Sequence, residues 1–406
     1  MHTSNSMAPV QAGERIDEID IVRGVALLGI LMVNMSFFKY PVFMERIPSN
    51  FPEGIEQLSA WLIQLFFTGK FYAIFSFLFG LGFYIFMERT ISKGLELKPL
   101  YKRRLAALMV FGLLHIVFFW SGDILFNYAL VGFILLAFRN ISMEAVKKWI
   151  SGLFVLSTFF NFLTYFLKGA GEFFDPDKYQ AIMDEMISSA LVAYTEGTYL
   201  ELTMFRLANE VPYVISGVLL WIPQVLAFFL CGLYIGKKGI FKDIPACIPL
   251  FKKVRTWGFL IGGFFLIIMV LLDRGILPLH PLFSVSLLGG INYISSLFLF
   301  PAYVASIILA SQSGIGKKLL APVAAAGKMA LTNYLAQTLI CVIIFYGFGF
   351  GFYGEVSLSE GILITIAIFL VQVAWSNAWL RKFKYGPMEW FWRLLTYKKR
   401  QPFMNR

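Results

Sequence analysis

Of the three histidines in the chain, only His115 lies inside a long apolar run, and Asp123 follows it just beyond a Ser121-Gly122 turn. An imidazole titrates near neutral pH, so in a wet cavity His115 can act as a general base. An ionisable group inside a membrane is a functional candidate by default, and its other role is to hydrogen-bond between helices as structural glue. Asp123 either orients the imidazole or caps the helix that starts after it. Asn34 can donate to a developing oxyanion or bridge two helices. Arg23 lies eleven residues before Asn34, about three turns, so the two share one helix face at opposite membrane depths. An arginine there suits a phosphate or a lipid headgroup, or else pairs with Asp20 at i, i+3. Lys70 sits at a Thr68-Gly69 break, where it snorkels to the interface or helps stabilise an oxyanion. The basic run Lys102, Arg103 and Arg104 offers further phosphate contacts. Near the C-terminal quarter, Ala326, Ala330, Asn333 and Gln337 recur every three or four residues as one small polar stripe, which packs on a neighbour or lines a cavity.

The elements that must position these residues are membrane helices. The 406 residues are 58% hydrophobic, 17% aromatic and only 15% charged, outside the range of water-soluble globular chains. The net charge of +11 lies in short gaps between apolar runs, not in a patch with interleaved aromatics, which argues against nucleic acid. The three cysteines, Cys231, Cys247 and Cys341, lack metal spacing and are too few for a disulfide framework. Apolar runs long enough to cross ~30 Å of hydrocarbon fall at residues 21–38, 71–87, 105–119, 124–138, 146–167, 213–236, 257–272, 283–310, 322–348 and 361–380. The fold class is therefore an all-α polytopic membrane protein of about ten transmembrane helices. The apolar tract at 58–88 is too long for one upright span, so the part before Gly69 is expected as an interfacial helix.

Basic residues are retained on the cytoplasmic side. With the N-terminus inside, the inner segments carry 26 Lys and Arg and the outer segments six (Lys39, Arg46, Lys168, Lys178, Arg206 and Arg274). The expected topology is N-in/C-in. Residues 1–20 form a cytoplasmic segment, 21–380 the membrane domain, and 168–212, with eight Asp and Glu, an extracytoplasmic helical cap. Residues 381–406 form a cytoplasmic amphipathic tail with Pro387 at a helix start, a Glu389–Arg393 pair at i, i+4 and Trp390, Trp392 and Tyr397 as interface anchors. The run FSFLFGLGF at 75–83 reads as a close-packing helix surface, since a phosphate loop needs a strand before it. No internal repeat is visible.

Seven ordered motifs carry a resemblance over nearly the whole chain. They are D-x-x-R-G-x-A-L-x-G-I-L-x-x-N at 20–34, K-F-x-x-x-F-S-x-L-F-G-x-G at 70–82, R-R-L-x-x-L-x-x-x-G-x-x-H at 103–115, G-D-I-L-x-x-Y-A at 122–129, Gly197, Tyr199 and Arg206, G-x-M-A-L-T-N-Y at 327–334, and G-P-x-E-W-x-W-R at 386–393. The pattern resembles the YeiB-like family of bacterial membrane proteins. The first motif is also similar to that of heparan-glucosaminide N-acetyltransferase relatives, membrane enzymes that pass an acyl group from cytosolic acyl-CoA to a sugar amine or hydroxyl on the far side. That resemblance implies catalysis by Asn34 and by a histidine in the following outer loop. Residues 35–57 contain no histidine, so His115 is the candidate substitute.

The expectation is a membrane acyltransferase of the bacterial cytoplasmic (plasma) membrane, with acyl-CoA such as acetyl-CoA as co-substrate and no metal. His115, Asp123, Asn34 and Lys70 would do the chemistry; Arg23, Lys102, Arg103 and Arg104 would meet the CoA phosphates. Arg206, Asn333 and Gln337 would contact a small-molecule, glycan or lipid substrate at the outer face. A transporter or lipid-handling protein using the same cluster, and a structural or sensor subunit, are the alternative readings. The oligomeric state is left open.

Overall fold

The structure, a computed structural model, describes residues 16–42, 44 and 48–405. Arg15, Arg46 and most of the expected N-terminal segment lie outside the described residues. Among those described there is no strand, only an isolated bridge between Phe383 and Met404. Fifteen α-helices follow one another: α1 Asp17–Lys39, α2 Ile55–Phe66, α3 Lys70–Ser92, α4 Leu97–Phe118, α5 Leu125–Leu135, α6 Met143–Phe174, α7 Pro176–Thr195, α8 Tyr199–Phe205, α9 Val211–Lys237, α10 Ile248–Asp273, α11 Pro281–Ser311, α12 Gly314–Lys328, α13 Ala330–Phe345, α14 Leu358–Lys382 and α15 Pro387–Tyr397.

The fold is an all-α polytopic membrane fold. Among the described residues, seven helical stretches are long and apolar enough to cross a membrane, and α12 with α13 makes an eighth if counted as one bent span. α4 falls short of that test because Lys102, Arg103 and Arg104 sit in its N-terminal half, and α5, continued by a 3-10 turn to Asn140, is a shorter apolar helix. One expected element differs. The run 322–348 is not one helix: it breaks at Met329 (φ −110°, ψ 34°) and turns by 81°. The segment before Gly69 is α2, and α2 and α3 follow each other as one long apolar unit, Ile55–Ser92. Gly69 makes their break, with φ 85°, a left-handed conformation that a side chain resists.

Local chemistry explains most starts. Asp175 caps α7 with Pro176 in the first turn, while Thr198–Glu201 and Ser357–Glu360 form capping boxes at α8 and α14. The expected cap at 168–212 is helical, but its last part is continuous with the bundle: α8 passes through a π-turn at Arg206–Glu210 directly into α9. α1 is the most enclosed of the long apolar helices and packs on α3, α12, α13 and α14. The FSFLFGLGF surface packs closely through Gly80, whose missing side chain admits the Phe229 backbone of α9, whereas Gly82 faces open space.

Connecting segments gather at two ends. At one, the Gly354 amide donates to the Lys39 carbonyl (2.9 Å), the Gly347 amide to the Tyr194 carbonyl (2.8 Å), and the Leu358 amide to Glu56 (2.7 Å). At the other, Lys328 pairs with Asp17 (3.0 Å), Lys242 with Glu88, and the Trp392 indole donates to the Arg104 carbonyl (2.8 Å).

Candidate functional site

His115 lies in the last turn of α4, 2% exposed, between two polar partners. Its Nδ1 is 2.9 Å from Asp123 Oδ1, and its Nε2 is 2.9 Å from Thr338 Oγ1 on α13. A carboxylate only accepts, so the network assigns the ring proton to Nδ1 and leaves the Nε2 lone pair to accept from the Thr338 hydroxyl. The second Asp123 oxygen accepts from the Phe126 amide (2.7 Å). Asp123 therefore fills both roles open to it, capping α5 with one oxygen and holding the imidazole with the other. Gly112, one turn before His115, makes this possible. A side chain there would run into the Phe126 amide and lie 2.8 Å from Asp123 Oδ2.

The walls are aromatic. The Tyr334 ring lies 5.5 Å from the imidazole, Phe119 and Trp120 each 6.3 Å, and Trp120 packs on Phe38 of α1 at 4.2 Å. Asn34 is one turn before Phe38 on α1. It is partly exposed and pairs with no described residue, so its amide is available to a ligand. Arg23, eleven residues earlier, is also partly accessible and holds Asp20 at 2.7 Å, the expected i, i+3 pair.

The remaining expected site residues have other partners. Lys70 does not snorkel. It is fully buried, with Nζ donating to Asn292 Oδ1 (2.7 Å) and the Gln64 carbonyl (3.2 Å). Arg206, 1% exposed, donates to the Phe119 carbonyl and to Thr203 (3.2 Å), closing the end of the helix that carries His115. Asn333 and Gln337 face α14. Asn333 Nδ2 donates to Ser376 (3.0 Å) and to the Ala326 carbonyl exposed by the Met329 break (3.0 Å), and Gln337 donates to Gln372 (2.9 Å). The polar stripe thus packs on a neighbouring helix, with Ala326 beyond the break. Lys102 and Arg103 are exposed, while Arg104 lies over the Trp392 ring at 3.5 Å. The Glu389–Arg393 pair does not form: Glu389 accepts from the Leu331 (2.6 Å) and Thr332 (3.1 Å) amides at the start of α13, and Arg393 lies over Tyr385.

Sequence reasoning missed Thr338 and Glu210. Thr338 is four residues after Tyr334, so the two share a face of α13 inside an apolar run, a second polar stripe beside Asn333 and Gln337. Glu210 accepts from Ser121 in the hairpin turn (2.5 Å) and from Tyr194 of α7 (2.8 Å), fastening the cap over the turn after His115. No group of His, Cys, Asp and Glu among the described residues has a metal-holding arrangement.

Residues 235–399 match the family described as "Protein of unknown function (DUF418)". The chain is 32% identical to "Uncharacterized protein YxaH" of Bacillus subtilis (strain 168), over 99% of both chains. It is 28% identical to "Uncharacterized protein YeiB" of Escherichia coli (strain K12), over 97% of this chain and 99% of the relative. A 39.9 kDa protein of Bacillus acidopullulyticus, encoded in an amylase 3' region, is 27% identical over 98% of both chains.

Proposed function

The chain belongs to this family of multi-pass membrane proteins, the one that includes YxaH and YeiB, and on that premise we propose that it is a membrane acyltransferase. The donor is cytosolic acyl-CoA, and the acceptor is an envelope hydroxyl or amine at the far face of the bacterial cytoplasmic membrane. The observation that carries this reading is the row Thr338–His115–Asp123, a hydroxyl, an imidazole and a carboxylate at 2.9 Å spacings. This is the order a general base needs: the carboxylate fixes the tautomer and Nε2 takes a hydroxyl proton. Thr338 occupies the place where an acceptor hydroxyl would donate.

In the reaction, His115 Nε2 removes the acceptor proton as the acceptor oxygen or nitrogen bonds to the thioester carbon. Asn34, whose amide pairs with no described residue, donates to the resulting oxyanion. Collapse breaks the C–S bond, and the imidazolium returns its proton to the departing thiolate, leaving ester or amide and free CoA. Arg23, Lys102 and Arg103, accessible at the opposite end, suit the CoA phosphates.

The test is release of CoA from labelled acetyl-CoA by protein in nanodiscs, with cell-envelope extract as acceptor. His115→Ala should lower release by about 10²- to 10⁴-fold. Absence of thioester cleavage with every envelope fraction would overturn the proposal, and vesicle transport lost in the same variant would then favour a transporter.

A further inference from the structure

The geometry points to a lipid site, independent of the acyl-transfer reading, in the groove between α6 and α11: it holds one acyl chain of a phospholipid whose phosphate meets His280. The groove has a volume of about 310 Å³ and runs along α6 from Phe159 to Phe166 and along α11 from Phe283 to Leu287. That volume is within the range of ligand sites. The two helices meet closely beside it because Gly289 and Gly290 leave room on α11 for the Tyr165 and Phe162 rings of α6. The lining is apolar except for Ser286, which is buried and donates to the Phe283 carbonyl of its own helix (2.9 Å). A polar solute would find no hydrogen bond there. Among the described residues α6 is also the least enclosed of the helical stretches able to span, with 11% of its apolar window buried. The groove therefore opens on lipid.

Length and position select the occupant. Phe159 to Phe166 spans ~10 Å at 1.5 Å per residue, and on α11 the groove begins in the first turn after Pro281. It is thus confined to one leaflet of ~30 Å of hydrocarbon, the reach of a single acyl chain lying along the helices. The end near Pro281 is polar. Phe283 stacks on Phe166 (5.9 Å) and lies 6.1 Å from the His280 ring, which also meets Phe173 of α6 at 5.5 Å. His280 Nδ1 accepts from the Leu282 amide (3.3 Å), which assigns the ring proton to Nε2. His280 is exposed, and that donor has no partner among the described residues. The start of α11 adds the positive end of a helix dipole. A phospholipid complements both features, its chain the apolar groove and its phosphate the donor and the dipole. A neutral diglyceride complements only the first.

Photo-crosslinking of the full chain in phosphatidylcholine nanodiscs tests the site, with two trace probes that carry a diazirine in mid-chain: phosphatidylglycerol and the corresponding diglyceride. With the phospholipid probe, Leu163 and Leu287 should be labelled several-fold above Leu219 of α9 and Leu260 of α10, exposed apolar positions outside the groove. Leu287→Trp, which fills the groove from α11, should remove the label at Leu163. Leu163→Trp fills it from α6 and should remove the label at Leu287, which keeps the test intact if the first variant fails to fold. The diglyceride should label the groove several-fold less than the phospholipid, and His280→Ala should erase that difference. Even labelling of α6, α9, α10 and α11, or labelling untouched by a filled groove, would overturn the site. Equal labelling by the two probes in the wild type would overturn the phosphate contact.

Discussion

Asp123 does two jobs with its two oxygens, and substitution can separate them. Asn is as good a cap as Asp, so Asp123→Asn should leave the α5 start in place while removing the charge that fixes the His115 tautomer. CoA release is expected to fall by about 10²-fold or more with little change in unfolding midpoint; equal loss of both would mean that the carboxylate is only structural. His115→Ala leaves Asp123 buried without its partner and should cost about 3–5 kcal/mol, read as denaturant unfolding in detergent. Thr338→Val removes one hydrogen bond, and about 1 kcal/mol is expected.

Glu389 illustrates a residue whose chemistry belongs to an element it is not part of. It is on α15 but caps α13, the helix that presents Thr338 and Tyr334 to His115. Burial raises its carboxyl above the usual carboxylate range, against hydrogen bonds from Thr332 and from backbone amides that lower it. The unfolded carboxyl then loses its proton first, so this contribution to stability is present at low pH. It is lost as pH rises from about 4.3 through the raised value, because the unfolded state binds fewer protons in that window. Glu389→Gln should flatten that part of the stability-versus-pH curve, and an unchanged slope would exclude Glu389 as its source. Gly112 controls the α4–α5 hairpin in a different way. Gly112→Ala should cost about 1–3 kcal/mol by forcing the two helices apart, and CoA release should fall although no polar group has been removed.

Across the molecule, polar residues knit the interior and apolar ones cover the outside. Ser76–Tyr128 (2.7 Å), Ser157–Tyr293 (2.6 Å) and Gln337–Gln372 (2.9 Å) join helices in the core, each contributing about 0.6 kcal/mol on average. Val155 on α6, Leu219 on α9 and Leu260 on α10 are exposed, as suits helices that face lipid. The N-in/C-in arrangement is an expectation from the distribution of Lys and Arg, and labelling in intact cells tests it. In a chain with Cys231, Cys247 and Cys341 replaced, a cysteine at Asp184 on α7 should react with a membrane-impermeant maleimide and one at Lys317 on α12 should not. The reverse pattern would invert the topology.

Composition and run length determined that this chain is a helical membrane protein, because the need to satisfy every backbone group within lipid leaves no other spanning structure for such runs. Sequence spacing also placed the Gly69 break, the Asp20–Arg23 pair and the candidacy of His115 and Asp123, since each depends on residues close along the chain. Thr338 reaches His115 across 223 positions, and Asn292 reaches Lys70 across 222. No local period encodes such contacts. The fate of Glu389 was likewise tertiary: Arg393 is one turn away, yet the free amides of α13 offer a buried carboxylate several hydrogen bonds at once. Lys70 shows the limit most directly. A lysine next to a break reads as snorkelling, and only the packing of α2 and α3 against α11 buries it, where Asn292 and the Gln64 carbonyl accept its hydrogen bonds.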